Sequence, residues 1–180
     1  MSDKGPIRTL VKARLAALGE QEKKEMSDFI AHRLLASPEY RGAQTIFFYH
    51  SLPSEPDTVP LLSAAVNDGK GVFLPRISGE ELELVAYRGE DDLKINAYGI
   101  GEPVGEKSNV TPDLAVIPLL AFDRDKHRLG RGKGFYDRFL RTFGGKVVAL
   151  AFSEEEVDFV PTEPHDRSPQ VIFTEKERIE

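Results

Sequence analysis

The chain opens on two stretches of helical periodicity. Ile7, Leu10, Val11, Leu15 and Leu18 recur at helical spacing, which predicts an amphipathic helix ended by Gly19. Lys4, Arg8 and Lys12 lie four apart and share a stripe beside its apolar face. A second helix is predicted from Glu20 to Ala36, with Met26, Phe29, Ile30, Leu34 and Leu35 toward the core and Pro38 closing it. The pattern then changes. Thr45-Ile46-Phe47-Phe48-Tyr49 is a continuous β-branched and aromatic run, as in a strand buried on both faces. Gly71 to Pro75, Leu114 to Ile117, Lys146 to Phe152 and Val171 to Thr174 read as further strands, and Leu82 to Ala86 alternates like an edge strand. Thr58 is placed to cap a helix through Pro60, Leu61, Leu62, Ala65 and Val66, and a short helix is expected from Phe135 to Phe143.

Strands alternating with helices predict an α/β fold: a three-layer, mostly parallel sheet with helices on both faces, doubly wound and Rossmann-like. Ligands of such sheets gather at the carboxyl ends of the strands. Chemistry is therefore sought in the polar segments after Tyr49, Leu74, Ile117 and Phe152. The 180 residues show no repeat, low-complexity tract or boundary, so one domain over residues 1–180 is expected. Arg88 to Pro112 and Ala121 to Gly130 are long enough to be binding loops.

Hydrophobic residues make up 40% and charged residues 30%, an ordinary balance for a soluble protein. The absence of cysteine excludes disulfides, thiolate zinc sites and cysteine nucleophiles. The segment Met1 to Pro6 lacks a signal-peptide pattern, and no apolar run is long enough to span a bilayer. A cytoplasmic protein, monomeric and without a membrane partner, is expected. The net charge of −6 argues against a large nucleic-acid face. Yet Asp123 to Arg141 holds seven Lys or Arg against three Asp, a window of +4, leaving −10 for the remainder. A compact cationic island suits a small polyanion; a solvated basic loop is the other reading.

Within that island, Gly130-Arg131-Gly132-Lys133-Gly134 has three alternate glycines. Their missing Cβ atoms let backbone amides approach an anion, while Arg131 and Lys133 supply charge and the helix at Phe135 adds its dipole. It is no P-loop, because Gly134 follows Lys133 and His127 stands where the first glycine belongs. Nor is it the dinucleotide fingerprint, since the third glycine comes one residue early. By themselves these residues fit either a phosphate cradle or a flexible turn with two solvated cations. Asp137, on the first turn of the helix, fits a Mg²⁺ ligand or a helix-dipole partner. Glu55, in a loop stiffened by Pro53 and Pro56, could accept paired N–H donors from a heterocycle. His165-Asp166 is a second acidic site within possible reach of a metal. His32 reads as structural, and nothing assigns a role to His50 or His127.

In order along the chain, these segments resemble the 5-formyltetrahydrofolate cyclo-ligase (5,10-methenyltetrahydrofolate synthetase) family. The likeness rests on the basic first helix, the Glu55-Pro56-Asp57-Thr58 core, Leu74-Pro75-Arg76 and Tyr98-Gly99-Ile100-Gly101-Glu102-Pro103. It continues through Asp113 to Pro118, Ala121-Phe122-Asp123, Arg128 to Arg138, Val160-Pro161, His165-Asp166 and Thr174-Glu175. Lys126 replaces a common glycine, Pro56 a small apolar residue, and Pro169-Gln170 interrupts the last motif.

The resemblance implies ATP- and Mg²⁺-dependent closure of 5-formyltetrahydrofolate to 5,10-methenyltetrahydrofolate, with release of ADP and phosphate. It implies that Lys4, Arg8 and the segment Arg128, Leu129, Gly130, Arg131, Gly132, Lys133, Gly134, Phe135, Tyr136 contact ATP. Arg131, Gly132, Lys133, Gly134 and Phe135 would also face the folate, Glu55 would bind its pterin or formyl end, and Asp137 and Asp166 would hold Mg²⁺. Arg131 and Lys133 are the residues expected to stabilise the transferring phosphoryl group. Two other functions compete: a paralogue acting on another heterocycle, for example in thiamine metabolism, and an RNA-binding module using the glycine-rich run.

Overall fold

The buried apolar runs form the centre of a seven-stranded sheet in the computed structural model, which describes residues 3–180. Met1 and Ser2, which begin both the N-terminal segment and the expected 1–180 domain, lie outside the described residues. In chain order the strands are β1 (Thr45–Phe47), β2 (Gly71–Ser78), β3 (Glu81–Ala86), β4 (Leu93–Ile95), β5 (Gly101–Pro103), β6 (Leu114–Ile117), β7 (Ala121–Phe122), β8 (Arg128–Leu129), β9 (Lys146–Leu150), β10 (Val171–Phe173) and β11 (Arg178–Ile179). The helices are α1 (Gly5–Ala16), α2 (Glu20–Ala36), α3 (Pro38–Gly42), α4 (Val59–Asn67) and α5 (Phe135–Thr142).

The sheet order is β11-β10-β9-β6-β1-β2-β3. Its five inner strands are parallel, and antiparallel β3 and β11 close the two edges. Numbered by sequence, the parallel strands run 2-1-3-4-5, the flavodoxin-like variant of a doubly wound sheet, with its switch point between β1 and β6. Successive side chains of each strand enter opposite cores. Ile46, Val116 and Val148 join α1 to α4 on one face, whereas Phe47, Ile117 and Val147 join Leu140 of α5 on the other. The three layers expected from the sequence are present. Among the described residues no helix is long and apolar enough to cross a membrane.

Several local expectations change. Leu10 and Phe29 are 47% and 61% exposed. The buried stripe of α1 runs through Val11 and Leu15, and that of α2 through Ser27, Ile30 and Leu34, so Leu10 and Phe29 lie about 100° off their stripes. Val66 of α4 is also exposed. His32 is exposed rather than packed. Pro38 begins α3, capped by the Ser37 hydroxyl accepting from Tyr40 N. Thr58 does not cap α4; its buried hydroxyl donates to Tyr49 O at 2.7 Å and accepts from Ser51 N at 3.1 Å. That pair fixes the loop after β1, which carries Glu55.

The two long irregular segments hold hairpins, β4–β5 and β7–β8. At the tip of the second, buried Asp123 accepts from Asp125 N and His127 N through Oδ1, and from Val160 N through Oδ2, which also meets His127 Nδ1. Burial opposes its ionisation, yet these bonds hold its carboxyl below the ordinary range. Lys126 completes the turn at φ 64°, the one non-glycine positive φ among the described residues. A lysine side chain there crowds its own backbone, a cost of roughly 1–2 kcal/mol. Lys126→Gly is therefore expected to raise stability by about 0.5–1 kcal/mol, net of its more flexible unfolded chain. Urea unfolding checks this, and a lower midpoint would show the Lys126 Nζ bond to Gln170 O to be worth more than the strain.

Candidate active site

A cavity of about 380 Å³ lies at the carboxyl ends of β1, β2 and β6, where the switch point requires a crevice. Tyr49, His50 and Glu55 line it after β1, Pro75 and Ile77 from β2, and Pro118 and Leu119 after β6. The N-terminal end of α1 contributes Lys4 and Arg8, the β4–β5 turn contributes Tyr98, and the whole of Arg128 to Asp137 forms the floor. Most of the residues predicted for ligands thus converge on one wall-to-wall site. Asp166 does not line it; its Oδ2 accepts from Glu163 N, and it clusters with Glu163 and His165 in the loop before β10.

The floor has the shape that the glycines permit. Gly132 adopts φ 113° and lies against the Arg8 guanidinium, whose carbon would be 3.7 Å from a Cβ there. Gly134 adopts φ 75° and stands immediately before α5 in the left-handed region, where a Cβ would come within 2.6 Å of Arg138 Nη1. Arg8 Nε donates to Gly130 O at 3.0 Å, tying α1 to this loop.

Two ion pairs organise its charge. Arg131 donates from Nε to Glu55 Oε1 at 3.3 Å and from Nη2 to Ser54 Oγ at 2.8 Å. Arg128, whose side chain is only 5% exposed, donates to Asp137 Oδ1 at 2.6 Å. Asp137 Oδ2 accepts no hydrogen bond among the described residues. Lys133 Nζ sits 5.8 Å from the Tyr98 ring, and Tyr98 meets Phe135 edge-on at 6.2 Å, so the hairpin tip touches the glycine loop across the cleft. Five Lys or Arg and three carboxylates line the cavity. Glu55 and Asp137 are paired and Glu102 accepts from Ile77 N, which leaves Lys4, Arg8 and Lys133 without a carboxylate among the described residues. The cleft is net cationic and glycine-floored with an apolar wall, an arrangement whose chemistry suits a polyanion joined to a flat ring.

Burial pushes the Glu55 carboxyl up to about 7, although Arg131, the Leu52 amide and nearby His50 pull the other way. Behind it, Glu155 is fully buried; its Oε2 accepts from Phe152 N at 2.6 Å and its Oε1 has no partner among the described residues. Desolvation holds that carboxyl well above its ordinary range, with the charge on Glu55 adding to the effect. Sequence reading missed Glu155 because a run of three glutamates looks like a solvated turn. It also left His50 without a role, and periodicity alone carried no sign of the Arg131–Glu55 or Arg128–Asp137 pairing.

The sequence profile of the 5-formyltetrahydrofolate cyclo-ligase family matches residues 1–175 of this chain. A protein of Haemophilus influenzae named 5-formyltetrahydrofolate cyclo-ligase is 34% identical, with 89% of this chain and 91% of the relative covered. A mouse protein of the same name is 28% identical over 97% of this chain and 94% of its own length. The NMR structure of Aquifex aeolicus 5,10-methenyltetrahydrofolate synthetase superposes with a TM-score of 0.85 at 31% identity, covering 97% of this chain and 91% of that one.

The raised Glu55 carboxyl has a consequence for the ligand-free protein. An acid whose folded value exceeds its unfolded one stabilises the fold fully below the unfolded value, and that stability is lost as pH rises through the folded value. For Glu55 the window runs from about 4.5 to about 7, and a shift of that size is worth about 3 kcal/mol. Glu55→Gln is expected to flatten the decline of unfolding free energy across that window. An unchanged slope in denaturant titrations at stepped pH would show that Glu55 stays ionised beside Arg131.

Proposed function

The chain belongs to the 5-formyltetrahydrofolate cyclo-ligase family, and from that premise we propose that it closes 5-formyltetrahydrofolate to 5,10-methenyltetrahydrofolate at the expense of ATP. The observation that carries this reading is the cationic, glycine-floored cleft at the β1/β6 switch point, built from the segments that carry the family's motifs. It is an ATP-dependent ligase. A formamide oxygen is a poor leaving group, so it first takes the γ-phosphoryl group, and ADP departs. The neighbouring folate nitrogen then attacks the activated carbon and inorganic phosphate leaves.

Such a transfer asks for positioning and charge neutralisation more than for a protein nucleophile. Lys4, Arg8 and the segment from Arg128 to Tyr136 hold the nucleotide in this proposal. Arg131 and Lys133 neutralise the transferring group, while the floor from Arg131 to Phe135 also supports the folate. Glu55 faces the pterin or formyl end, where a buried carboxyl near its midpoint can accept or donate a hydrogen bond. Mg²⁺ would neutralise phosphate charge and needs only one or two carboxylates besides phosphate and water. Asp137 fits that requirement, with its side chain 43% exposed and one oxygen unbonded among the described residues. Asp166 is proposed as the second carboxylate, although in the ligand-free protein it lies outside the cleft, beside Glu163 and His165. A cytoplasmic location, a monomeric state and the lack of a nucleic-acid partner belong to the same proposal, supported by the acidic, cysteine-free composition.

Incubation with 5-formyltetrahydrofolate and Mg-ATP is expected to produce the near-ultraviolet band of the methenyl product together with ADP; folded protein that yields neither overturns the assignment. Lys133→Ala is expected to lower kcat by about 10²–10³-fold. Its thermal midpoint should scarcely move, because Lys133 is exposed. Full activity would return Lys133 to the class of solvated loop cations. Asp137→Asn is expected to raise the Mg²⁺ concentration for half-maximal rate. A matching shift in Asp166→Asn would support the second ligand, and an unshifted titration in either variant removes that residue from the metal site.

A further inference from the structure

His50 lies three residues beyond the end of β1, at the switch point, and is the one imidazole lining the cleft. Its Nε2 lies 2.9 Å from Glu90 Oε2 and 3.3 Å from Oε1, and Glu90 Oε1 also accepts from the Tyr87 hydroxyl at 2.8 Å. A carboxylate on Nε2 makes that nitrogen the protonated one, so Nδ1 carries the lone pair. Nδ1 accepts no hydrogen bond among the described residues. It and Cε1 lie beside Gly101, where an added Cβ would be 3.4 Å from each, so a side chain at that position would crowd this edge of the ring. The site thus holds an oriented imidazole, backed by a carboxylate, that nothing in the phosphoryl-transfer apparatus uses.

We propose that His50, oriented by Glu90, accepts the proton released by the attacking folate nitrogen during ring closure. The inference rests on the cyclo-ligase reading and completes its proton balance. As the nitrogen lone pair forms the new C–N bond, the carbon–oxygen bond to the phosphoryl group breaks and its electron pair leaves on phosphate. The attacking nitrogen began with one N–H, and the product ring has none. That proton passes to His50 Nδ1, and the imidazolium is balanced by Glu90. Glu55 has another task in the proposed reaction, holding the pterin or formyl end.

The charged and titratable groups around the ring are few. Glu90 and Tyr87 face it from the segment after β3, and Glu55, backed by Arg131, from the loop after β1. Glu102, next to Gly101 on β5, is held by Ile77 N. A proton acceptor at this position predicts that kcat falls on the acidic side as the imidazole becomes protonated. Glutamine keeps an N–H for Glu90 but cannot take up the proton. His50→Gln is therefore expected to lower kcat by about 10²-fold, to abolish the acidic limb of its pH profile and to leave the KM for ATP unchanged. Glu90→Gln can also turn its amide N–H toward the ring, so it no longer fixes which nitrogen carries the proton, and it is expected to lower kcat while leaving the KM for ATP unchanged. A structural anchor would show neither change.

An active wild-type enzyme whose His50→Gln variant keeps both kcat and the acidic limb overturns this inference alone. If His50→Gln does not fold, as judged by its thermal transition, the kcat of Glu90→Gln decides, and an unchanged kcat overturns it. A wild-type protein without cyclo-ligase activity overturns the functional reading and this inference together.

Discussion

Strands β1 and β6 lie side by side and run the same way, yet the chain leaves them over opposite faces of the sheet. From β1 it passes through α4, and from β6 it reaches β9 through α5. Loops that diverge from adjacent strand ends cannot pack on each other, so a crevice must open between them. Tyr49 to Glu55 become one wall and Pro118-Leu119 another. Helix α1 closes the end of the crevice, because Arg14 donates to the carbonyls of Glu156 at 2.8 Å and Glu154 at 3.4 Å, while Arg8 reaches Gly130 O. The site is a consequence of connection order, and its loops supply the chemistry.

Gathering cations in that crevice creates repulsion, which the ligand-free protein relieves with carboxylates drawn from the same site. Arg131 takes Glu55, and Arg128 takes Asp137. In the proposed reaction each of these four residues has a ligand of its own, so binding exchanges partners rather than introducing charge into an uncompensated pocket. In that proposal phosphate would replace a carboxylate on the arginines, and the released carboxylates would turn to pterin and metal. Such an exchange keeps the buried charges paired at both stages, which matters because an unpaired buried charge is costly.

Three buried carboxyls separate scaffold from site. Asp123 is met by four hydrogen bonds and held below its ordinary range, so it fixes the β7–β8 turn at little electrostatic cost. Glu55 and Glu155 are pushed up by burial, and Glu155 leaves an oxygen without a partner among the described residues. Carboxyls in that condition weaken a fold, and they cluster where a protein spends stability on function. The cores on both faces of the sheet offset the cost, with side chains such as Phe47, Phe122, Val148 and Leu150 fully enclosed.

Much of this was legible in the chain. The continuous apolar runs identified the parallel strands because a strand covered on both faces has no polar side to show. The alternate glycines and the cations between them marked the floor of the site, since backbone shape there depends on residues without Cβ. What the sequence could not reveal was long-range partnership. Arg131 and Glu55 are joined across 76 residues, and His50 and Glu90 across 40. Phe29 and Leu10 satisfied the helical period but fell beside the buried stripe, because the choice of stripe is made by the sheet beneath it. Short hairpins such as β7–β8 escaped because two-residue strands have no period. Local chemistry thus determined the elements and the kind of ligand, while the packing of distant segments decided which charges pair, which carboxyls lose water and where an imidazole meets the cleft.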